Sequence, residues 1–305
     1  MPSVSRTARF GRVLTAMATP FDGDGAVDLD GAARLAAELV ASGSDGLVVA
    51  GSTGEATTLT DSERIELWRT VVGAVDAPVL AGSTTADTAH SVELTRAATA
   101  AGVGGILAVT PYYSRPPQAG LDAHFRAVAA STDLPVVLYD IPLRTGRRLA
   151  PETIVGLASE VDNIVGLKDA GGDPAATARL LADLPGDFEC YCGDDSLTLP
   201  LLSIGAVGLI GVATHWCAAE CSEMIRRFLD GDVDGALEIG RALIPSFQFE
   251  SSEQSPNPQP TKAMLAVLGL PAGSCRLPLG PAPSGLEERA KSVLGDLDAW
   301  RRQRI

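Results

Sequence analysis

Lysine and histidine are scarce in this chain. Its 305 residues include only three lysines (Lys168, Lys262 and Lys291) and three histidines, against 21 arginines. Acidic residues outnumber basic ones 38 to 24, which gives a net charge of −14. This excess of negative charge argues against a general nucleic-acid or anionic-membrane binder, although it leaves room for a local basic pocket that holds an anionic substrate.

Cysteine, metal-ligand clusters and long apolar runs are also scarce or absent. Five cysteines, an odd number in a long chain, do not predict a disulfide framework, and we expect small buried thiols. No Cys-x-x-Cys pair or histidine cluster indicates a metal site, and nothing in the sequence calls for a cofactor. The sequence contains no run of ~18 apolar residues, which predicts no transmembrane helix. The basic start "MPSVSRTARFGR" (1–12) leads into no apolar signal segment, so we expect a frayed tail and a cytoplasmic protein.

Short apolar runs alternate along the chain with longer segments of helical periodicity. Continuous apolar strands that are linked by helices are typical of a parallel sheet with a covered outer face. The predicted strands are "VLTAMATP" (13–20), "GLVVAG" (46–51), "APVLAG" (77–82), "GGILAVTP" (104–111), "PVVLYDIP" (135–142), "IVGLKDA" (164–170), "FECYCGD" (188–194) and "GLIGV" (208–212).

Eight strand–helix units over about 200 residues favour an α/β fold of the (β/α)8 TIM-barrel type over a doubly wound sheet. No G-x-G-x-x-G follows the first strand, so the dinucleotide-binding alternative loses its main support. After about residue 215 only helices are predicted, at roughly 216–230, 233–248, 259–269 and 284–300, and "SSEQSPNPQP" (251–260) is the most loop-like stretch. We therefore predict a barrel over residues 1–230 and a helical appendage over 231–305.

Active sites of such barrels lie at the carboxyl ends of the strands. There the sequence places "GSTGE" (51–55), "TPYY" (110–113), "YDIPLRTG" (139–146), Lys168 and "GDD" (193–195). A lysine among hydroxyl groups suits attack on a carbonyl carbon to form a Schiff base, since a low dielectric favours a neutral amine. Taken singly, each feature also has an ordinary explanation: a salt-bridged lysine, a turn that caps a helix, or core tyrosines. Their convergence on one rim favours a site.

Five of these motifs, "GSTGE", "TPYYSRPP", "YDIPLRTG", "GLKDA" and "GDD", occur in an order and spacing that resemble the dihydrodipicolinate synthase/N-acetylneuraminate lyase family. The resemblance covers nearly the whole chain from about residue 13. It implies a class I pyruvate aldolase on a (β/α)8 barrel, with Lys168 forming the imine and Tyr139 transferring protons. Ser52 and Tyr113 would complete a hydroxyl relay, Ser52 and Thr53 would hold the pyruvate carboxylate, and Ile210 would contribute a backbone carbonyl.

The resemblance also implies an acceptor and an assembly. Arg144 would bind the carboxylate of aspartate 4-semialdehyde, and "YDIPLRTG" with "KDA" favours the synthases over the sialic-acid lyases. The product would then be 4-hydroxy-tetrahydrodipicolinate, on the route to diaminopimelate and lysine. Tyr113 would cross from a neighbouring subunit, with Tyr112 packed at the interface, which implies a homodimer or homotetramer.

This sequence departs from the family pattern at three places. The synthases usually carry Thr where Ser52 stands, and a small polar residue is common at the place of Leu143. Members that lysine inhibits have an acidic residue at the place of His90, so inhibition by lysine is not expected. His124 and His215 match no catalytic role, and we expect them at a helix surface or an interface.

Two alternatives stay open from the sequence alone. The first is another pyruvate-dependent aldolase, lyase or dehydratase of the same superfamily with a different aldehyde acceptor. The second is a non-catalytic barrel that binds a keto acid.

Overall fold

Eight parallel strands close into a barrel in the computed structural model, which describes residues 8–304. Neighbours in the barrel are also neighbours in sequence, and β1 closes against β8 with Leu14 opposite Ile210. This confirms the predicted (β/α)8 barrel. The strands are β1 (Val13–Ala16), β2 (Gly46–Val49), β3 (Val79–Gly82), β4 (Gly105–Val109), β5 (Val136–Asp140), β6 (Ile164–Asp169), β7 (Glu189–Cys192) and β8 (Gly208–Gly211).

Helices follow the strands and cover the outside of the barrel. Their starts match local signals: the Asp28 side chain accepts from the backbone N–H of Gly31, and Thr60 and Glu63 form a capping box. The helices are α1 (Leu29–Ala41), α2 (Asp61–Ala74), α3 (Thr88–Ala100), α4 (Gln118–Ala129), α5 (Pro142–Thr145), α6 (Pro151–Glu160), α7 (Pro174–Asp183), α8 (Thr198–Ile204), α9 (Thr214–Leu229), α10 (Val233–Phe249), α11 (Gln259–Val267) and α12 (Leu286–Arg302).

The three C-terminal helices, α10 to α12, form an appendage, as predicted, and pack together with α9 against one side of the barrel. Trp216 of α9, Leu243 of α10 and Leu297 of α12 share one buried cluster with Leu209 of β8. The appendage therefore does not have a core separate from that of the barrel. The boundary between residues 230 and 231 stays a prediction. Within residues 8–304, no helix is long and apolar enough to cross a membrane.

The N-terminal segment differs in part from the frayed tail that the sequence predicts. Residues 1–7 lie outside the described part of the chain. For residues 8–12 the prediction is wrong, because Phe10 is buried in the core inside the barrel and the backbone N–H of Arg9 donates to Glu189 Oε1 at 2.9 Å. An aromatic side chain therefore fills the barrel interior at the amino-terminal end of the strands.

The prediction of a surface position is also wrong for His124 and His215, since their exposed fractions are 3% and 2%. Each imidazole ring forms a hydrogen bond with a residue outside its own helix. His124 Nδ1 lies 2.9 Å from Thr88 Oγ1, and His215 Nε2 accepts from the backbone N–H of Ala18 at 3.0 Å. Burial lowers the pKa of both rings to about 4.

This burial predicts an acid-sensitive contribution to stability from His124. Its pKa falls from 6.5 unfolded to about 4 folded, so below pH 6.5 the unfolded chain binds the extra proton. The contribution is complete above pH 6.5 and is lost as the pH falls towards 4. Between pH 7 and 5 the free energy of unfolding of the wild type should drop by about 2 kcal/mol more than that of His124→Gln.

Urea titrations at the two pH values measure this difference. His90→Gln is the control, because His90 is exposed beside Asp61 on the outer helices. Equal pH slopes for the wild type and His124→Gln would rule out this contribution.

Candidate active site

Lys168 is the last but one residue of β6, inside the mouth of the barrel, and only 4% of it is exposed. Tyr139 is its register partner on β5, and Lys168 Nζ lies 4.6 Å from the centroid of the tyrosine ring. Gly193 leaves space for the lysine, because a Cβ there would lie 3.0 Å from Lys168 Cε. Lys168 forms no salt bridge with any residue in the described range, whereas buried Lys262 is paired with Glu55. Lys262 is thus held in an ion pair, whereas the amine of Lys168 lies against the Tyr139 ring.

The turn after β2 presents Ser52 and Thr53 to the same space. The chain adopts a positive φ of 55° at both Ala50 and Glu55, which folds this segment tightly, and Thr19 Oγ1 donates to the carbonyl of Gly54 at 2.7 Å. Thr53 is buried, with an exposed fraction of 2%. The "GSTGE" motif therefore forms a fixed turn whose hydroxyl groups lie at the mouth.

A cavity of about 730 Å³ joins the predicted groups from four elements. Its walls include Ser52, Thr53, Tyr139, Arg144 and Lys168. Arg144 lies on α5, directly after β5, and its Nη2 donates to the carbonyl of Asn257 at 3.3 Å. The structure thus brings one amine, three hydroxyl groups and one guanidinium into a single cavity.

Three other predicted residues lie outside this cavity. Tyr113 is 94% exposed with a φ of 71°, and Tyr112 lines an adjoining cavity of about 340 Å³ that also reaches Ser52 and Tyr139. Ile210 is buried in the core inside the barrel. One copy of the chain therefore does not bring Tyr113 to Lys168.

Two carboxyl groups near the mouth are more easily protonated than usual. Burial raises the pKa of Asp195, in the "GDD" motif, to about 6, and its oxygens accept from the backbone N–H groups of Val212 and Ala213. Burial also raises the pKa of Asp140, at the end of β5, to about 6. The two hydrogen bonds that Asp195 accepts from Val212 and Ala213 connect the end of β7 to the start of α9, so Asp195 has a structural role.

The C-terminal appendage contributes residues that the sequence reasoning missed. Asn257 Nδ2 donates to Thr53 Oγ1 at 2.9 Å, and Lys262 Nζ lies 2.6 Å from Glu55 Oε1. Asn257 falls in the loop-like stretch and Lys262 on α11, more than 200 residues from their partners. The only signal in the sequence was the rarity of lysine, which would have drawn attention to Lys262.

All five cysteines are free and buried, as predicted. Cys217 Sγ lies 3.9 Å from Cys221 Sγ within α9. In the described part of the chain, no group of three or more His, Cys, Asp or Glu side chains could hold a metal ion.

Comparisons with known proteins identify the family of this chain. The model of the dihydrodipicolinate synthetase family matches residues 9–296. A 4-hydroxy-tetrahydrodipicolinate synthase of Acidothermus cellulolyticus is 54% identical, covering 92% of this chain and 90% of that protein. One of Moorella thermoacetica is 50% identical, covering 94% of this chain and 98% of that protein. A dihydrodipicolinate synthase crystal structure from Bacillus anthracis superposes with a TM-score of 0.91 at 40% identity, covering 95% of this chain and 99% of that chain.

The match to the family model extends from the N-terminal segment that contains Phe10 into α12. It therefore includes the strands that carry Lys168 and Tyr139 as well as the appendage. This chain belongs to the dihydrodipicolinate synthetase family.

Proposed function

We propose that the chain is a Schiff-base aldolase that condenses pyruvate with aspartate 4-semialdehyde to 4-hydroxy-tetrahydrodipicolinate. The observation that carries the proposal is the buried Lys168, which forms no salt bridge with a described residue and lies beside Tyr139 in a cavity that Ser52, Thr53 and Arg144 also line. Relatives with 50% and 54% identity bear the name of this synthase. The reaction serves diaminopimelate and lysine biosynthesis, and the free cysteines fit a reducing cytoplasm.

The first half of the reaction uses the amine and the turn. The neutral amine of Lys168 attacks the C2 carbonyl of pyruvate, and the resulting carbinolamine loses one water to give the imine. Loss of a proton from C3 then yields an enamine. Tyr139, whose ring packs against the amine, is the proposed carrier of protons, and Ser52 with Thr53 would hold the pyruvate carboxylate. The backbone carbonyl of Ile210 on β8 would face the lysine.

The second half joins the two substrates. The enamine carbon attacks the aldehyde carbon of the semialdehyde, which forms the C–C bond and leaves the hydroxyl group at C4. The amino group of the acceptor then attacks the imine carbon, closes the ring and releases the Lys168 amine. One water is lost in total, when the imine forms, and no oxidant or cofactor is consumed.

We propose that Tyr113 acts in the site of a second copy. Its side chain is 94% exposed, which is unusual for an aromatic residue at the end of a barrel strand. A partner subunit could place it beside Ser52 and complete a relay of hydroxyl groups from Tyr139 to solvent. Tyr112 would then pack at the interface of a homodimer or homotetramer.

Arg144→Ala should raise the KM for aspartate 4-semialdehyde by roughly 10- to 100-fold, because a charged hydrogen bond to the substrate carboxylate is lost. Arg144→Lys keeps the charge but loses the planar fork, and we expect an intermediate KM. Steady-state kinetics with each substrate varied in turn measure this, and the KM for pyruvate should stay within a few-fold of the wild type. An unchanged KM for the semialdehyde in Arg144→Ala would remove Arg144 from the acceptor site.

A coupled assay that offers aspartate 4-semialdehyde, N-acetylmannosamine and other aldehydes beside pyruvate tests the acceptor. Turnover of the semialdehyde alone supports the synthase. Preference for another aldehyde would assign the chain to a different aldolase of the superfamily. No borohydride-trapped pyruvate adduct at all would point to a barrel that does no imine chemistry.

A further inference from the structure

A chain of buried hydrogen bonds runs from the C-terminal appendage into the turn after β2. Thr261 Oγ1, on α11, donates to Asn257 Oδ1 at 3.0 Å, and Asn257 Nδ2 donates to Thr53 Oγ1 at 2.9 Å. The exposed fractions of Thr261, Asn257 and Thr53 are 0%, 6% and 2%. This chain of bonds is therefore shielded from water and acts on a hydroxyl group that lines the cavity of Lys168.

Each bond in this chain has a fixed direction. An amide oxygen only accepts and an amide nitrogen only donates, so Asn257 takes a hydrogen from Thr261 and gives one to Thr53. Thr53 Oγ1 is thus an acceptor in its bond to Asn257. Its own hydrogen stays available, and the described residues offer it no acceptor.

We propose that Asn257 is a positioning residue that directs the Thr53 hydroxyl hydrogen into the cavity, where the carboxylate of pyruvate accepts it. This inference rests on the proposed function for the identity of the substrate. Asn257 also lines this cavity, and its proposed role is to act through Thr53 rather than by its own contact with the substrate. A hydroxyl group that is already oriented as a donor loses little freedom when it binds an anion, so the hydrogen bond contributes more to affinity.

The position of Asn257 is in turn held by a buried ion pair one helical turn away. Lys262 Nζ lies 2.6 Å from Glu55 Oε1, and these side chains are 3% and 1% exposed. The backbone N–H of Arg276 donates to the other oxygen of Glu55 at 2.9 Å, and the Lys262 ammonium lies 4.0 Å from the centroid of the Phe21 ring. Glu55 belongs to the same turn as Thr53. The ion pair between Lys262 and Glu55 therefore holds α11 against this turn.

Two substitutions of Asn257 separate this role from a merely structural one. Asn257→Asp keeps the shape but puts an acceptor opposite Thr53, so it captures the hydroxyl hydrogen and repels the substrate anion. Asn257→Ala only removes the donor and leaves the hydroxyl free to rotate. Above about pH 8, where the aspartate is ionised, we expect the apparent dissociation constant for pyruvate to rise roughly 100-fold in Asn257→Asp and roughly 3- to 10-fold in Asn257→Ala.

The measurement is the fraction of Lys168 trapped by borohydride as the pyruvate concentration is varied, read by mass spectrometry without any acceptor. A purely structural asparagine would tolerate aspartate better than alanine, so the order of the two variants decides. The loss in Asn257→Asp relative to the wild type should also shrink at lower pH, because a protonated carboxyl group donates again. If Asn257→Asp binds pyruvate as well as or better than Asn257→Ala, the proposal is wrong.

Thr261→Val is the second variant, and it keeps the test decisive should Asn257→Asp fail to fold. It removes the donor that orients the amide, and a 3- to 10-fold weaker pyruvate affinity is expected, roughly that of Asn257→Ala. Unchanged affinity in Thr261→Val would contradict the directed chain of bonds. Arg301→Ala is the matched control, because Arg301 ties α12 to Glu220 of α9, another contact of the appendage that is remote from the turn.

Failure of the proposed function gives a different result. In that case the wild type itself would form no pyruvate adduct at Lys168. A wild type that forms the adduct, together with variants that bind pyruvate equally well, would overturn the role of Asn257 alone.

Discussion

Lys168→Arg is expected to lower kcat by at least roughly 10³-fold and to abolish the borohydride-trapped pyruvate adduct. A guanidinium group stays charged and carries no free electron pair for attack on a carbonyl carbon, although it fills a similar space. The loss should therefore occur at the chemical step. Circular dichroism and thermal melting should show a folded protein, because Lys168 makes no salt bridge with a described residue that the change would break.

The scarcity of lysine makes this experiment unusually clean. Lys262 and Lys291 are the only other side-chain amines that compete with Lys168 for an adduct, and intact mass followed by peptide mapping distinguishes them from Lys168 and from an N-terminal amine. Lys291 is exposed on α12 and Lys291→Arg is the control, with unchanged kcat and adduct. A pyruvate adduct that persists in Lys168→Arg would move the chemistry to another amine and refute the assignment.

Lys262→Met should lower the free energy of unfolding by about 3–5 kcal/mol, because it leaves the Glu55 carboxylate buried without its partner. The pair is almost fully inaccessible, with side-chain exposures of 3% and 1%. An exposed pair such as Arg226 and Asp230 contributes much less to stability, since solvent screens it. The two pairs therefore differ in the consequence of losing one member.

Removing both charges should restore most of the lost stability. Glu55→Gln combined with Lys262→Met replaces an uncompensated charge by a neutral amide, and we expect it to unfold at a higher urea concentration than Lys262→Met alone. Equilibrium urea titrations followed by two probes give the free energies and test two-state behaviour. Asp230→Ala is the control for an exposed pair. A loss below 1 kcal/mol in Lys262→Met would mean that the pair is not a major contributor to stability.

The two buried lysines show where sequence reasoning worked and where it stopped. Lys168 could be found because it ends an apolar run, and in a barrel of parallel strands that end is the site. Lys262 lies in a helix of ordinary composition, and its partner Glu55 is 207 positions away. Rarity alone does not separate a reactive amine from a structural cation; the salt bridge that Lys262 forms, and that Lys168 lacks among the described residues, does.

The predictions for His124, His215 and the N-terminal segment were wrong for a related reason. His124 and His215 are polar residues in helices, which are more often exposed, but each has a partner across an element boundary. Phe10 belongs to a basic stretch whose composition predicts an exposed tail. In the structure its side chain is buried in the apolar interior of the barrel, at the amino-terminal end of the strands. A local sequence pattern predicts the average exposure of a residue type. These residues are more buried than that average because the fold brings partners from distant elements next to them.

The sequence by itself determined the eight strand–helix units, the barrel and the five motifs at its mouth, because hydrophobic periodicity and turn residues are local properties. It also identified Lys168, Tyr139, Ser52, Thr53 and Arg144, which the structure brings to one cavity. Only the tertiary structure decided that Lys168 forms no salt bridge with a described residue, that Lys262 is paired with Glu55, and that Asn257 reaches Thr53 from more than 200 residues away. Hydrogen bonds and ion pairs across 200 residues leave no local pattern, since they depend on distances that exist only after the barrel has closed and the appendage has docked.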